Sequence, residues 1–323
     1  MAQTDLPLET LRTYRPDVAE PADFDEFWAD TLAEARSLAW APELAAVDTP
    51  IDALVIEDLT FAGFGGEPIK GWVTRPQGEG PWPTVVEFIG YGGGRGLPGE
   101  RLLWAASGYA HVLMDTRGQG SGWGSGGDTP DPHGSGPAGS GYMTRGITAP
   151  ETYFYRRVFT DGALLIDAVR ALDFADPDRI AVTGGSQGGA ISIAVAGLSG
   201  ANVRAVMPDV PFLCHFRRSV ELTPQAPFTE VATYLAVHRS AAEEVFRTLS
   251  YFDGVNFARR IQVPALFSVG LMDPIVLPSS VFTAYNHLAT SDREIEVYAY
   301  NGHEGGGHAQ WVRQARWLEA RLG

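Results

Sequence analysis

Between residues 182 and 192 the chain reads VTGGSQGGAIS, which places Ser186 among four glycines directly after a β-branched run. The stretch Gly184-Gly185-Ser186-Gln187-Gly188 fits G-x-S-x-G, the nucleophile elbow, where a strand turns sharply into a helix and lifts a serine hydroxyl clear of the sheet. Side chains two positions to either side of that serine would collide with neighbouring elements, which accounts for the glycines. A serine hydroxyl becomes a good nucleophile only when a base, held in place by a carboxylate, takes its proton. In the chain order serine, acid, histidine, the sequence supplies Asp273 at the end of PALFSVGLMD and His303 just after EIEVYAYNG. Asp209 is the alternative acid and His308 the alternative base. His215 lies in the apolar stretch PFLCHFRR and reads as a packing or pocket residue, and His238 and His287 lie in helical patterns and read as surface or core.

Acyl transfer through such a serine also needs two N–H donors for the oxyanion. The helix after the elbow points its free amides at the site, and Gln187 carries the first of them. The loop YGGGRG, after the strand-like run TVVEFIG, places the second at the backbone amide of Tyr91. Two other motifs compete. GRGLPG at 94–99 formally matches the dinucleotide fingerprint, with Asp115 as its ribose-binding acid, but Pro98 disrupts the helix start that would hold a pyrophosphate. HEGGGH at 303–308 has one residue too many for a zinc-binding H-E-x-x-H helix face. The expectation is therefore no metal and no cofactor.

The elements that would position these residues follow from the apolar pattern. Strand-like runs at 55–61, 69–75, 85–90, 111–116, 179–183, 203–208, 265–270 and 294–300 alternate with helical patterns near 22–37, 99–107, 161–174, 187–198, 279–290 and 308–322. The middle and later strands are apolar nearly throughout, as strands covered on both faces must be. This predicts an α/β fold with a mainly parallel central sheet and helices on both faces. The whole chain, 1–323, reads as one domain with a helical N-terminal extension over about 1–50. A Gly/Pro-rich loop at about 120–150 and a helical insertion at about 212–258 break the rhythm. The charged and aromatic run ETYFYRRVFTDG after the loop argues that the loop is tied down. The insertion would sit over the C-terminal edge of the sheet, where open α/β folds bind ligands.

Composition narrows the partners. With 24 Lys and Arg against 39 Asp and Glu, the net charge of −15 repels nucleic acid and anionic lipid. No apolar run approaches the ~18 residues of a membrane span. The single cysteine, Cys214, forms no intramolecular disulfide. A soluble cytoplasmic protein is the default reading, and a disulfide-free secreted one the alternative.

DTRGQG at 115–120, GGSQGG at 184–189 and the His303-Glu304 pair, in that order, resemble the acetyl xylan esterase and cephalosporin-C deacetylase family, carbohydrate esterase family seven. PADFDEFW, YRRVFTD, DVPFLCHFRR and FRTLSYFDGVNFA resemble it as well, so the likeness runs from about residue 5 to the C-terminus. The resemblance implies an α/β-hydrolase fold and a serine esterase acting on small acetylated substrates. It implies Ser186, Asp273 and His303 as the triad and the amides of Tyr91 and Gln187 as oxyanion donors. Arg117 and Gln119 are then site-organising residues. A homohexamer with sites facing an internal cavity, and perhydrolysis to peracetic acid, are also implied. One departure is PIVLPSS after Asp273, where the family resemblance implies Cys-Pro-Pro; Pro274 and Leu277 are expected to reshape the wall beside the acid. A peptidase of the same fold, an esterase of other small acyl groups, and a non-catalytic sugar-binding protein are the alternatives.

Overall fold

The computed structural model describes residues 3, 5–134 and 136–322. One nine-stranded sheet organises the chain, made of β1 (Glu43–Ala46), β2 (Leu54–Ala62), β3 (Pro68–Pro76), β4 (Trp82–Phe88), β5 (Ala110–Met114), β6 (Ala175–Gly185), β7 (Ala205–Asp209), β8 (Ala265–Gly270) and β9 (Arg293–Tyr298), in the order β1-β2-β3-β5-β4-β6-β7-β8-β9. From β5 across to β9 every neighbouring pair is parallel. The first three strands add an antiparallel edge.

Strand alternation divides the apolar side chains between two cores. Val86, Ile180, Val182, Val206 and Phe267 face the larger core, under the helices Phe24–Ser37, Phe154–Arg170 and Gln187–Ser199. Val85, Ala181, Met207 and Leu266 face the other, beneath Trp104, Trp317 and Leu318 from the helices Leu103–Ala106 and Gly307–Leu322. The helix Gln187–Ser199 is apolar on every side and buried along most of its length. The turn at Ser186 leads directly into it.

Several boundaries differ from the sequence reading for tertiary reasons. The N-terminal extension is helical over Leu8–Leu11 and Phe24–Ser37 but then supplies β1, a four-residue strand paired along its length with β2. The helix expected at 161–174 starts at Phe154, because Phe154, Tyr155, Val158 and Phe159 are buried in the core. The helix expected at 99–107 shrinks to Leu103–Ala106, since Gly99 takes φ +87. The segment around 212–258 forms the helices Phe216–Leu222, Phe228–Val237, Ala242–Ser250 and Gly254–Ala258.

The Gly/Pro-rich loop is tied down. Asp131 receives Arg157 through Nε (2.9 Å) and Nη2 (2.7 Å), so the charged run after the loop holds it. Asp115 accepts the backbone N–H groups of Arg95, Asp128 and Thr129 at 2.9, 2.6 and 2.8 Å. A carboxylate so engaged braces loops and is not free for a ribose, and the helix after GRGLPG is too short to cradle a pyrophosphate.

Candidate active site

The carboxyl ends of the parallel strands converge on one cavity of about 570 Å³, lined in part by Tyr91, Gly185, Ser186 and His303. Ser186 stands between the last residue of β6 and the first of the helix Gln187–Ser199, with φ +57 and ψ −117. A serine in that region is strained by about 1–3 kcal/mol. Neighbouring backbone enforces it: Ser186 N–H donates to the Asp209 carbonyl (2.9 Å), and the Ser186 carbonyl accepts from Phe212 N–H (3.0 Å). The glycines follow from close approach. A Cβ on Gly188 would lie 2.1 Å from the Phe88 carbonyl oxygen, and one on Gly184 would lie 2.7 Å from the same atom. Gly185 faces open space and leaves room for a substrate.

His303 Nδ1 lies 2.8 Å from Asp273 Oδ2, the two being brought together from the ends of β9 and β8. The Asp273 side chain is fully buried, and its other oxygen accepts the N–H groups of Ile275 (2.8 Å) and Val276 (2.9 Å). This fixes the carboxylate, assigns the Nδ1 proton to the bond between them, and leaves Nε2 as the basic nitrogen. Glu304 steadies the turn by accepting from Asn301 Nδ2 (2.7 Å) and Gly302 N–H (3.0 Å). The alternatives are occupied elsewhere. Asp209 accepts Gln310 Nε2 (3.0 Å) and Gln314 Nε2 (2.9 Å) from the C-terminal helix, and burial pushes its carboxyl up to about 7. His308 stacks on Trp311, with ring centroids 5.3 Å apart. His303 and His308 thus serve different partners, and no cluster of three or more metal-ligating side chains occurs among the described residues.

The Tyr91 and Gln187 amides have no hydrogen-bond partner among the described residues. A side-chain network holds the segments that carry them. Gln119 Oε1 accepts Gly92 N–H (2.7 Å), and Gln119 Nε2 donates to Gln187 Oε1 (2.9 Å). Gln187 Nε2 returns to Gln119 Oε1 (3.2 Å) and to the Ile89 carbonyl (3.1 Å), while Tyr155 Oη donates to Gln187 Oε1 (2.9 Å). Gln119 therefore joins the two candidate oxyanion segments through one amide pair. Arg117 acts further back. It is fully buried, clamps Asp161 through Nε (2.6 Å) and Nη2 (2.8 Å), and reaches Glu67 (2.5 Å), all outside the cavity wall.

Some wall residues were not read from the sequence. Ile275, and neither Pro274 nor Leu277, faces the cavity, so the expected change of wall beside the acid falls on a different residue. Trp123 projects from the glycine-rich loop and donates its indole N–H to the Tyr91 carbonyl (2.7 Å). An aromatic residue in such a loop was the only sequence signal for it. The side-chain roles of Gln187 and Tyr155 had no local signal.

This geometry has close counterparts. Residues 1–321 match the acetyl xylan esterase (AXE1) family. The chain belongs to that family. It is accordingly a carboxylic ester hydrolase of the α/β-hydrolase fold. An acetyl xylan esterase from Paenibacillus sp. R4 superposes with a TM-score of 0.92 at 39% identity, covering 98% of this chain and 100% of that one. Acetyl xylan esterase 1 from Thermoanaerobacterium sp. JW/SL YS485 gives a TM-score of 0.88 at 35% identity, with 98% and 99% coverage. The acetyl esterase Axe7A of Xylanibacter ruminicola is 26% identical over 334 residues, spanning 95% of this chain and 69% of that protein.

Proposed function

We propose that this esterase removes acetyl groups from small acetylated carbohydrates, and from cephalosporin C, through an acetyl-serine intermediate. The observation that carries the reading is the His303–Asp273 bond at 2.8 Å beside a strained Ser186 on the same cavity. His303 Nε2 takes the Ser186 proton as Oγ attacks the acetyl carbonyl, and Asp273 stabilises the resulting imidazolium. The Tyr91 and Gln187 amides receive the oxyanion. Collapse expels the alcohol, which takes the proton from His303. Water, deprotonated by His303, then attacks the acetyl-serine and releases acetate. Hydrogen peroxide in place of water gives peracetic acid by the same steps.

A cavity of about 570 Å³ suits a small leaving group rather than a polymer. A homohexamer is part of this reading and rests on the family resemblance alone. The test compares p-nitrophenyl acetate with p-nitrophenyl octanoate, using wild type beside Ser186→Ala at matched concentration. Fast acetate turnover, poor octanoate turnover and an inactive variant are expected. If Ser186→Ala keeps most of the activity, the nucleophile assignment is wrong.

A further inference from the structure

The residue whose amide faces the cavity, Tyr91, is gripped at its other end by a group far away in sequence. Glu230, in the first turn of the inserted helix Phe228–Val237, accepts the Tyr91 hydroxyl proton at 2.7 Å through Oε1. Its Oε2 accepts Met143 N–H (3.1 Å), and the Tyr91 hydroxyl accepts Tyr142 N–H (2.5 Å). The chain at Gly141 lies so close that a Cβ there would meet Glu230 Oε1 at 2.2 Å. One carboxylate thus ties together the loop after β4, the end of the long glycine-rich loop, and the insertion. The Tyr91 ring is boxed by Tyr142 and Phe212 at centroid distances of 5.2 and 6.2 Å, and Phe212 packs on Phe228 of the same inserted helix at 4.4 Å.

The position of the Tyr91 N–H depends on the two peptide planes that meet at its Cα and on the direction of its side chain. Trp123 and Gln119 hold the following plane, through the Tyr91 carbonyl and Gly92 N–H at 2.7 Å each. The preceding plane, which carries the N–H, is held among the described residues by one turn bond, Gly93 N–H to the Gly90 carbonyl at 3.1 Å. Fixing the side chain as well as the following plane anchors the Cα and the nitrogen attached to it, so the preceding plane keeps only its rotation about the N–Cα bond, which that turn bond restrains. We propose that Glu230 is a positioning residue of the oxyanion hole, fixing the Tyr91 amide through the Tyr91 hydroxyl. This inference rests on the proposed role of that amide. It gives the insertion a part in catalysis: the insertion sets the electrophilic side of the site as well as covering it.

The test is a double-mutant cycle of Glu230→Ala and Tyr91→Phe, followed with p-nitrophenyl acetate per active site titrated by a serine-directed phosphonate. Each single variant is expected to lower kcat roughly 10- to 100-fold with KM little changed, because the donor is displaced rather than deleted and acts only on the transition state. The double variant is expected to fall no further than the worse single, since Glu230 acts through the hydroxyl that Tyr91→Phe removes. Phenylboronic acid, which forms a tetrahedral adduct on the serine, should bind more weakly by the factor lost in kcat/KM.

A purely structural role would lower Tm and the titrated fraction while leaving kcat per titrated site and boronate affinity unchanged, and that result overturns the proposal. Additive losses in the cycle overturn it as well. Should Glu230→Ala fail to fold, Tyr91→Phe, which deletes one oxygen, carries the same kcat and boronate tests, and an unchanged kcat overturns the proposal. Ser186→Ala in the same assay separates the two readings. If it stays active, the nucleophile and this proposal fall together; if it is dead while Glu230→Ala matches wild type, only the Glu230 role fails.

Discussion

Replacing Asp209 by asparagine is expected to stabilise the protein at alkaline pH and to destabilise it slightly at acid pH. Burial raises the Asp209 carboxyl from 3.8 to about 7, against the opposing bonds from Gln310 and Gln314. Between those values the folded state holds a proton that the unfolded chain has released. Raising the pH through that window therefore removes stability, and the loss is complete above about pH 7. A change of that size corresponds to about 4 kcal/mol. Asp209 is partly open to the cavity, whose water screens the charge, so about 2 kcal/mol is a reasonable expectation.

Asparagine removes that charge at the cost of disturbing one of the two glutamine bonds, about 1 kcal/mol at any pH. At about 2.1 cal/mol/K per residue, a chain of 323 residues shifts its Tm by roughly 1.5 °C per kcal/mol. Asp209→Asn should thus melt about 1 °C below wild type near pH 4, cross it a little above pH 5, and melt about 1–2 °C above it at pH 8, measured by circular dichroism across the range. A difference independent of pH would refute the argument. The same variant separates the two candidate acids: Asp273→Asn should lose roughly 10⁴ in kcat, as removal of a triad carboxylate does, whereas Asp209→Asn should lose far less.

Other expectations follow from close contacts and buried charge. Gly188→Ala would press a Cβ to 2.1 Å from the Phe88 carbonyl and should cost about 3 kcal/mol or more, with loss of titratable serine. Gly185→Ala meets nothing within 4 Å and should change Tm little, so equal effects of the two would undo the packing account of the elbow. Arg117→Met strips the cation from buried Asp161 and should lower stability by about 3–5 kcal/mol in urea titrations. A loss of activity without loss of stability would instead place Arg117 in the chemistry.

Much of the site was legible because its chemistry is local or ordered along the chain. The elbow is written in one pentapeptide, since a strand-to-helix turn of that sharpness admits only glycine where Gly184 and Gly188 meet the Phe88 backbone. Asp273 and His303 were legible because each follows a strand, and strand ends of a parallel sheet share one edge. The early start at Phe154 and strand β1 were not legible, because burial and pairing with distant segments overrode local pattern, and the late start at Leu103 came from the left-handed backbone of Gly99, a conformation that glycine permits without announcing.

By itself, the sequence determined the alternating strands and helices, the elbow serine, and a short list of partners for it. Between Asp273 and Asp209, or His303 and His308, it gave order but no distance. Tertiary structure supplied the distance: an acid orients a histidine only within hydrogen-bond reach, and of these four it is Asp273 and His303 that meet, at 2.8 Å. It also decided what holds the oxyanion segments. The links Gln119 to Gln187 and Glu230 to Tyr91 join residues 68 and 139 positions apart. Hydrogen bonds over such separations leave no periodicity or spacing to read; they exist only once the sheet and the packed insertion bring their ends together.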